Sequence, residues 1–338
     1  MSFTFPDNAT IVNGALKNFG PRNTFVDINT LVPQDNLIEI NGISYYYTYL
    51  GSTSGNKGGN SIILKLYESQ FFDTDDIEYG EPERILKISK SKITKFPNNS
   101  EKRFTKEIDA LKRCNEKSFQ NVINIFQSGV CRILNQWRNG YDQHQFYTME
   151  FAQADLKSYI EQNNREMGTD EKIRLCLSLC EGLKELYTVG YYHRDIKPDN
   201  IFIIGSEWKI GDLGLISERD GVEEVDRIAD FIGPKGWMSP EAMNKYLCEG
   251  KGFRYKHNCC IDHQSDIFQL GKVFWYIFQH NAPIGSVKES DFQVRNSVIY
   301  SILKTMLSHS KSKRYKNIDE IIKLLKTCEV KAFRQLVA

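Results

Sequence analysis

An α+β architecture in two lobes is predicted for this 338-residue chain: a small antiparallel-sheet lobe with one main helix, then a larger, mostly helical lobe. Three observations lead there. Short strand-like runs and an Asn-Gly turn crowd the stretch before residue 153, long amphipathic periods fill the stretch after Ala154, and the length suffices to bury a large core.

Residues 1–37 mix Asn, Pro, Gly and Asp with scattered apolar residues and no sustained period, so an irregular N-terminal extension is expected. Ile38 to Ile40, Asn41-Gly42 and Ile43 to Leu50 then read as a hairpin, because Asn-Gly supplies the two positive φ values of a type I′ turn. Ser61 to Tyr67 and Arg84 to Ile88 are two further strands, separated by an acidic connection from Glu68 to Glu83. Phe104, Ile108 and Leu111 share one face of a helix expected over Glu101 to Cys114. Strands follow at Val122 to Val130 and Gln145 to Phe151, and Glu150 to Gln153 is the expected hinge. The clearest later helix runs from Thr169, read as its N-cap, to Gly190, read as its stop. The expected division is an extension at 1–37, a first lobe at 38–152, a second lobe at 153–327 and a tail at 328–338.

Charge and composition exclude several classes. Lys and Arg (44) nearly balance Asp and Glu (43), which leaves no net field to hold nucleic acid, so no nucleic-acid partner is expected. The N-terminus lacks a basic start and an apolar core, and the apolar run Val273 to Phe278 falls far short of the roughly 20 residues of a membrane span. A soluble, cytoplasmic protein without disulfides is the expectation. Cys176 and Cys180 share a helical stripe with Ile173, Leu177, Leu183 and Tyr187 and read as core. Cys248, His257, Cys259, Cys260 and His263 match no standard ligand spacing, so no metal is expected there.

After Gly190 comes Tyr192-His-Arg-Asp-Ile-Lys-Pro-Asp-Asn200, then the apolar run Ile201 to Ile204, then Glu207 to Gly211 leading into Asp212-Leu-Gly214. Two acids, a Lys and an Asn therefore gather at the edge of one short hairpin. Phosphoryl transfer from ATP needs such a set, because positioning and charge neutralisation supply most of the catalysis. In that chemistry Asp195 orients a substrate hydroxyl, Lys197 stabilises the moving γ-phosphoryl, and Asn200 and Asp212 hold Mg²⁺.

The runs H-R-D-I-K-P-D-N and D-L-G make the chain resemble the eukaryotic-type protein kinases, over roughly residues 43–327. The resemblance implies an ATP- and Mg²⁺-dependent enzyme acting on protein substrates. Lys197, two residues after Asp195, is the serine/threonine arrangement, whereas the Pro-x-x-Trp-Met run from Pro234 is similar to the tyrosine-specific version; a nucleotide-binding pseudokinase scaffold is the further alternative. The same resemblance gives Lys87, with Lys90 as its rival, and Glu107 the role of an ion pair holding the α and β phosphates. Leu50, Gly51, Gly55, Gly58 and Ile62 fall in the phosphate-binding loop and its flanks, although G-x-G-x-x-G is not spelled out. Ile85 stands where Ala is usual above the adenine, Phe202 forms the floor, Glu150 and Ala152 offer hinge backbone, and Asp155 reaches the ribose. Ser239-Pro-Glu241, Arg314 and Asp266 to Gly271 match structural elements of the family. Between Gly214 and Gly233 the only hydroxyl is Ser217, so one of the loop acids Glu218, Glu223, Glu224 and Asp226, with Glu223 or Glu224 foremost, is expected to take the place of a loop phosphate beside Arg194.

Overall fold

Alternating apolar residues in the first part of the chain do build a sheet. The computed structural model describes residues 37–40, 43–50, 61–68, 81–135, 140–162, 167–220, 225–254, 257–294 and 296–337. Two compact units emerge, Met1–Lys112 with Asn124–Phe151 and Arg113–Ile123 with Ala152–Ala338. Residues 113–123 thus group with the second unit.

In the first unit β1 (Leu37–Ile40), β2 (Ile43–Tyr49), β3 (Ser61–Glu68), β4 (Arg84–Lys92), β5 (Ile125–Asn135) and β6 (Gly140–Glu150) form one antiparallel sheet in the order β1-β2-β3-β4-β6-β5. The expected turn residues Asn41 and Gly42 lie outside the described residues, but Ile40 pairs with Ile43 across a two-residue connection. Both strands of the β5–β6 hairpin differ from the sequence reading. The first starts at Ile125 rather than Val122, and the second starts at Gly140 rather than Gln145.

Side chains alternate across this sheet with period two. Ile40, Tyr45, Tyr47, Ile62, Leu64, Leu66, Leu86, Ile88 and Phe146 form a buried cluster on one face. The opposite face carries Ile63, Ile85, Lys87 and Tyr147, and receives α1 (Asn99–Glu116), whose Phe104 ring lies 5.5 Å from that of Tyr147. Glu107 sits within the buried stripe of Phe104, Ile108 and Leu111, a position that demands a partner for its carboxylate.

The second unit opens with β7 (Ala154–Asp155), α2 (Leu156–Gln162), α3 (Thr169–Thr188) and β8 (Tyr191–Tyr192). Next come β9 (Ile201–Ile204), β10 (Glu207–Ile210), β11 (Ser217–Glu218) and α4 (Pro240–Cys248), then α5 (His263–Gln279), α6 (Ser297–Met306) and α7 (Ile318–Val337). Helix α5 is buried along nearly its whole length from Ser265 to Phe278, as a helix apolar on all sides must be. Cys176 and Cys180 are fully buried in α3, and burial holds both thiols well above their ordinary pKa. The N-cap of α3 is Gly168 rather than Thr169, because the Glu171 carboxylate already accepts the Gly168 N–H at 2.8 Å and stabilises that end. Gly190, at φ +89°, ends the helix where a side chain would be strained. Among the described residues no helix is long and apolar enough to cross a membrane.

Gly182 lets α3 approach the 113–123 segment, since a Cβ there would stand 2.6 Å from the Asn121 backbone oxygen. A backbone oxygen has little room to yield, so the clash outweighs the better helix propensity of alanine. Gly182→Ala is expected to cost about 1–3 kcal/mol, seen as a lower midpoint in thermal unfolding.

Candidate active site

The loop between β8 and β9 is irregular, and α5 holds it. Asp266 accepts the N–H groups of His193 and Arg194, each at 2.8 Å, while Gln269 donates to Arg194 O at 3.1 Å and accepts from Ile196 N at 3.2 Å. Arg194 thereby stays at φ +67°, a left-handed conformation that costs a non-glycine residue roughly 1–2 kcal/mol.

This clamp presents Asp195 next to Lys197 and Asn200. Asp195 Oδ2 accepts from Lys197 Nζ at 3.2 Å and from Asn200 Nδ2 at 2.9 Å, and the same amide donates to Asp195 O at 2.8 Å. Burial pushes the Asp195 carboxyl up to about 6, with the Lys197 charge opposing the rise. Burial also lowers His193 to about 4, so its ring is neutral. Nε2 then donates to Gly211 O at 3.2 Å, and Nδ1 accepts the Asp195 N–H at 3.2 Å.

The β9–β10 hairpin brings Asp212 to the same loop, because Gly211 N donates to Asn200 O at 3.0 Å. Gly211 lets the Phe202 ring pack close against the backbone, since a Cβ there would lie 2.8 Å from the ring and force it to shift. Asp212 itself is exposed and at φ +54°, and Leu213 is buried. Sequence reading thus brought together four residues, Asp195, Lys197, Asn200 and Asp212, that the fold does assemble.

Of the four expected acids, Asp226 stands beside Arg194; Glu223 and Glu224, the foremost candidates, lie outside the described residues. The buried guanidinium pairs with both oxygens of Asp226, Nη2 to Oδ1 at 3.1 Å, and Nε donates to Leu215 O at 2.7 Å. All four acids have the same chemistry, so composition marked the set without ranking its members. Gln269 lies within the Asp266 to Gly271 run whose helix was expected to anchor this loop, and it supplies two of the bonds that do so.

In the first unit Lys87 Nζ meets Glu107 Oε1 at 2.8 Å, both buried, and Tyr147 OH donates to the same oxygen at 2.9 Å. Lys87 rather than Lys90 therefore pairs with Glu107. Ile62 is a correction. It pairs with Ile88 and belongs to the buried cluster on the far face, whereas Ile63 pairs with Lys87 and shares the Lys87 face with Ile85. A one-residue error in strand position inverts every side chain. Leu50, whose N–H donates to Ile63 O at 3.0 Å, continues that register. Gly51, Gly55 and Gly58 lie outside the described residues. Glu150 accepts from Asn124 N at 2.8 Å and Asn124 Nδ2 at 3.0 Å. In the second unit Asp155 caps α2, accepting Ser158 N–H at 2.7 Å, Ala152 is half-buried, and Phe202 pairs with Lys209 on β10.

Arg314 uses all five donors. It contacts Glu241 at 2.8 and 3.0 Å, and the carbonyls of Gln264, Ser308 and His309 at 3.0, 2.6 and 3.0 Å. Among the described residues no group of three or more His, Cys, Asp or Glu is placed to hold a metal ion. His263 instead bonds Lys316 O at 2.8 Å.

Comparison with known sequences agrees with this geometry. The family described as protein kinase domain matches residues 82–335, and the chain belongs to it. It is 31% identical over 198 residues to the rat interferon-induced, double-stranded RNA-activated protein kinase, covering 53% of this chain and 34% of that one. Identity to the serine/threonine-protein kinase cds1 of Schizosaccharomyces pombe is 28% over 222 residues, 64% of this chain and 43% of that one. A Wee1-like protein kinase of Oryza sativa is 25% identical over 232 residues, 64% of this chain and 38% of that one. The chain spans less than half the length of each of these relatives.

Among the described residues, removing Arg314 leaves the buried Glu241 carboxylate with Ser265 Oγ, at 3.1 Å, as its side-chain partner. Arg314→Met is expected to cost about 3–5 kcal/mol in urea unfolding. Adding Glu241→Leu should recover most of that loss, since the uncompensated charge, not the lost pair, dominates.

Proposed function

We propose that this chain transfers the γ-phosphoryl group of ATP to serine or threonine hydroxyls of protein substrates. The hydrogen-bonded unit Asp195–Lys197–Asn200 carries the reading. Asp195 orients the acceptor hydroxyl and takes its proton, a task suited to a carboxylate whose pKa, about 6, lies near the working pH. Lys197 offsets negative charge on the group in transit. Asn200 commits its N–H₂ to Asp195, which leaves its carbonyl oxygen for a cation, and exposed Asp212 adds a carboxylate. Hard oxygen donors of this kind fit Mg²⁺. Magnesium held by Asn200 and Asp212 would supply neutralisation of the phosphate charge.

Lys87, held by Glu107, is the proposed contact to the α and β phosphates. Leu50, Ile63 and Ile85 are the proposed apolar cover for the base, with Phe202 and the backbone of Glu150 and Ala152 as its other contacts. The cytoplasm is the proposed location. Serine or threonine is favoured by Lys197 and by the similarity to the fission-yeast serine/threonine-protein kinase cds1. Pro234 and Trp237 support a tyrosine alternative, with Trp237 packed edge-on against Tyr276 at 5.8 Å.

The test incubates the full chain with γ-labelled ATP, Mg²⁺ and a generic protein substrate, followed by phosphoamino-acid analysis. Label on serine or threonine is expected, falling about 10²–10⁴-fold in Asp195→Ala and Asp212→Ala. Label confined to tyrosine reassigns the acceptor, and nucleotide binding without transfer by the wild type makes the chain a scaffold.

The buried Arg194–Asp226 pair makes a second prediction. Asp226→Asn should lower turnover about tenfold, while phosphatase treatment and Ser217→Ala leave the wild-type rate unchanged. Turnover that follows Ser217 phosphorylation removes this reading.

A further inference from the structure

Helix α4 turns an apolar stripe outward. Met243, Tyr246 and Leu247 recur at helical spacing, and the last two are 42% and 48% exposed. The segment after Asp226 extends the same surface. Phe231 meets the Tyr246 ring edge-on at 5.1 Å, and Ile228, 74% exposed, lies against Gly250, where a Cβ would come within 2.6 Å of its Cγ2. Single exposed apolar residues are ordinary, whereas contiguous ones with a charged rim mark interaction sites.

The rim is unevenly charged. Asp230 accepts the Arg227 N–H at 2.9 Å, and Glu249 accepts Ala229 N–H at 3.0 Å while pairing with Lys245 at 2.9 Å, so both carboxylates are engaged within the protein. Arg227 and Lys251 flank Ile228 and Gly250 in the chain. Both are exposed, and among the described residues neither side chain forms an ion pair.

We propose that this surface docks an acidic, amphipathic segment of a partner protein. Its apolar side chains pack on Ile228, Phe231, Tyr246 and Leu247, and its carboxylates meet Arg227 and Lys251. Charge selects this occupant over a second copy of the chain, because a two-fold pair would bring the same cations together.

The probe is a fluorescein-labelled synthetic peptide alternating Glu with Leu and Phe, titrated by anisotropy against the full chain. A companion peptide replaces every Glu with Lys. Saturable binding of the acidic peptide is expected, weakening with salt, and no binding of the basic one. The Ile228→Ser, Leu247→Gln double variant should raise Kd about tenfold, and Arg227→Glu with Lys251→Glu should abolish binding. All four positions are exposed, so unchanged melting temperatures are expected alongside. No saturable binding, equal binding of both peptides, or unaltered affinity in both double variants overturns the proposal. Concentration-dependent dimerisation of the wild type that Ile228→Ser with Leu247→Gln removes also overturns it, assigning the surface to a second copy. Binding is the readout, so the result is independent of phosphoryl transfer.

Discussion

Asp266 and Gln269, buried on α5, are the fixed points from which the catalytic loop hangs. The loop from His193 to Asn200 offers few backbone bonds of its own, and a left-handed Arg194 adds strain. Four hydrogen bonds from two side chains of one buried helix answer both needs. The direction in which Asp195 points is therefore inherited from α5. Most of α5 is buried among apolar residues of its unit, so a packed helix sets the geometry of an irregular loop.

Three buried ion pairs repeat this logic: Lys87–Glu107, Arg194–Asp226 and Arg314–Glu241. Such pairs contribute little net stability, because desolvation offsets much of their attraction. Their consequence is positional. Each ties a chain segment to a single partner: α1 to the sheet, the segment around Asp226 to the catalytic loop, and Arg314 to α4. An apolar substitute of equal volume would pack, but it would not select one orientation among several.

What the sequence made legible follows from how local each interaction is. The proposed catalytic residues lie within eighteen positions, Asp195 to Asp212, and a short hairpin brings them together. Helix α1 and the core character of α3 were legible because one apolar stripe suffices to define them. Ile62 was misplaced by one residue because parity in a strand depends on where pairing begins, and composition does not record that. The partner of Arg194, Asp226, was among four expected acids but not the foremost, because carboxylates of equal chemistry are not ranked by composition. Residues 113–123 were read with the first lobe because they follow α1 in sequence, yet Ile123 N bonds Ile210 O at 2.9 Å and Gly182 fits against Asn121 O.

The segment from Asp226 to Phe231 joins these themes. Its first residue is tied to the arginine beside Asp195, and within five positions it displays Ile228 and Phe231 to solvent. Were the segment loose, those side chains would turn inward to escape water. The Asp226–Arg194 pair, the Ala229–Glu249 bond and the fit of Ile228 on Gly250 hold them outward. An apolar surface maintained by buried charge at one end and a backbone hydrogen bond in its middle is already organised before any partner arrives. Preorganisation reduces the ordering cost of association, so even a small acidic segment gains from contact with it.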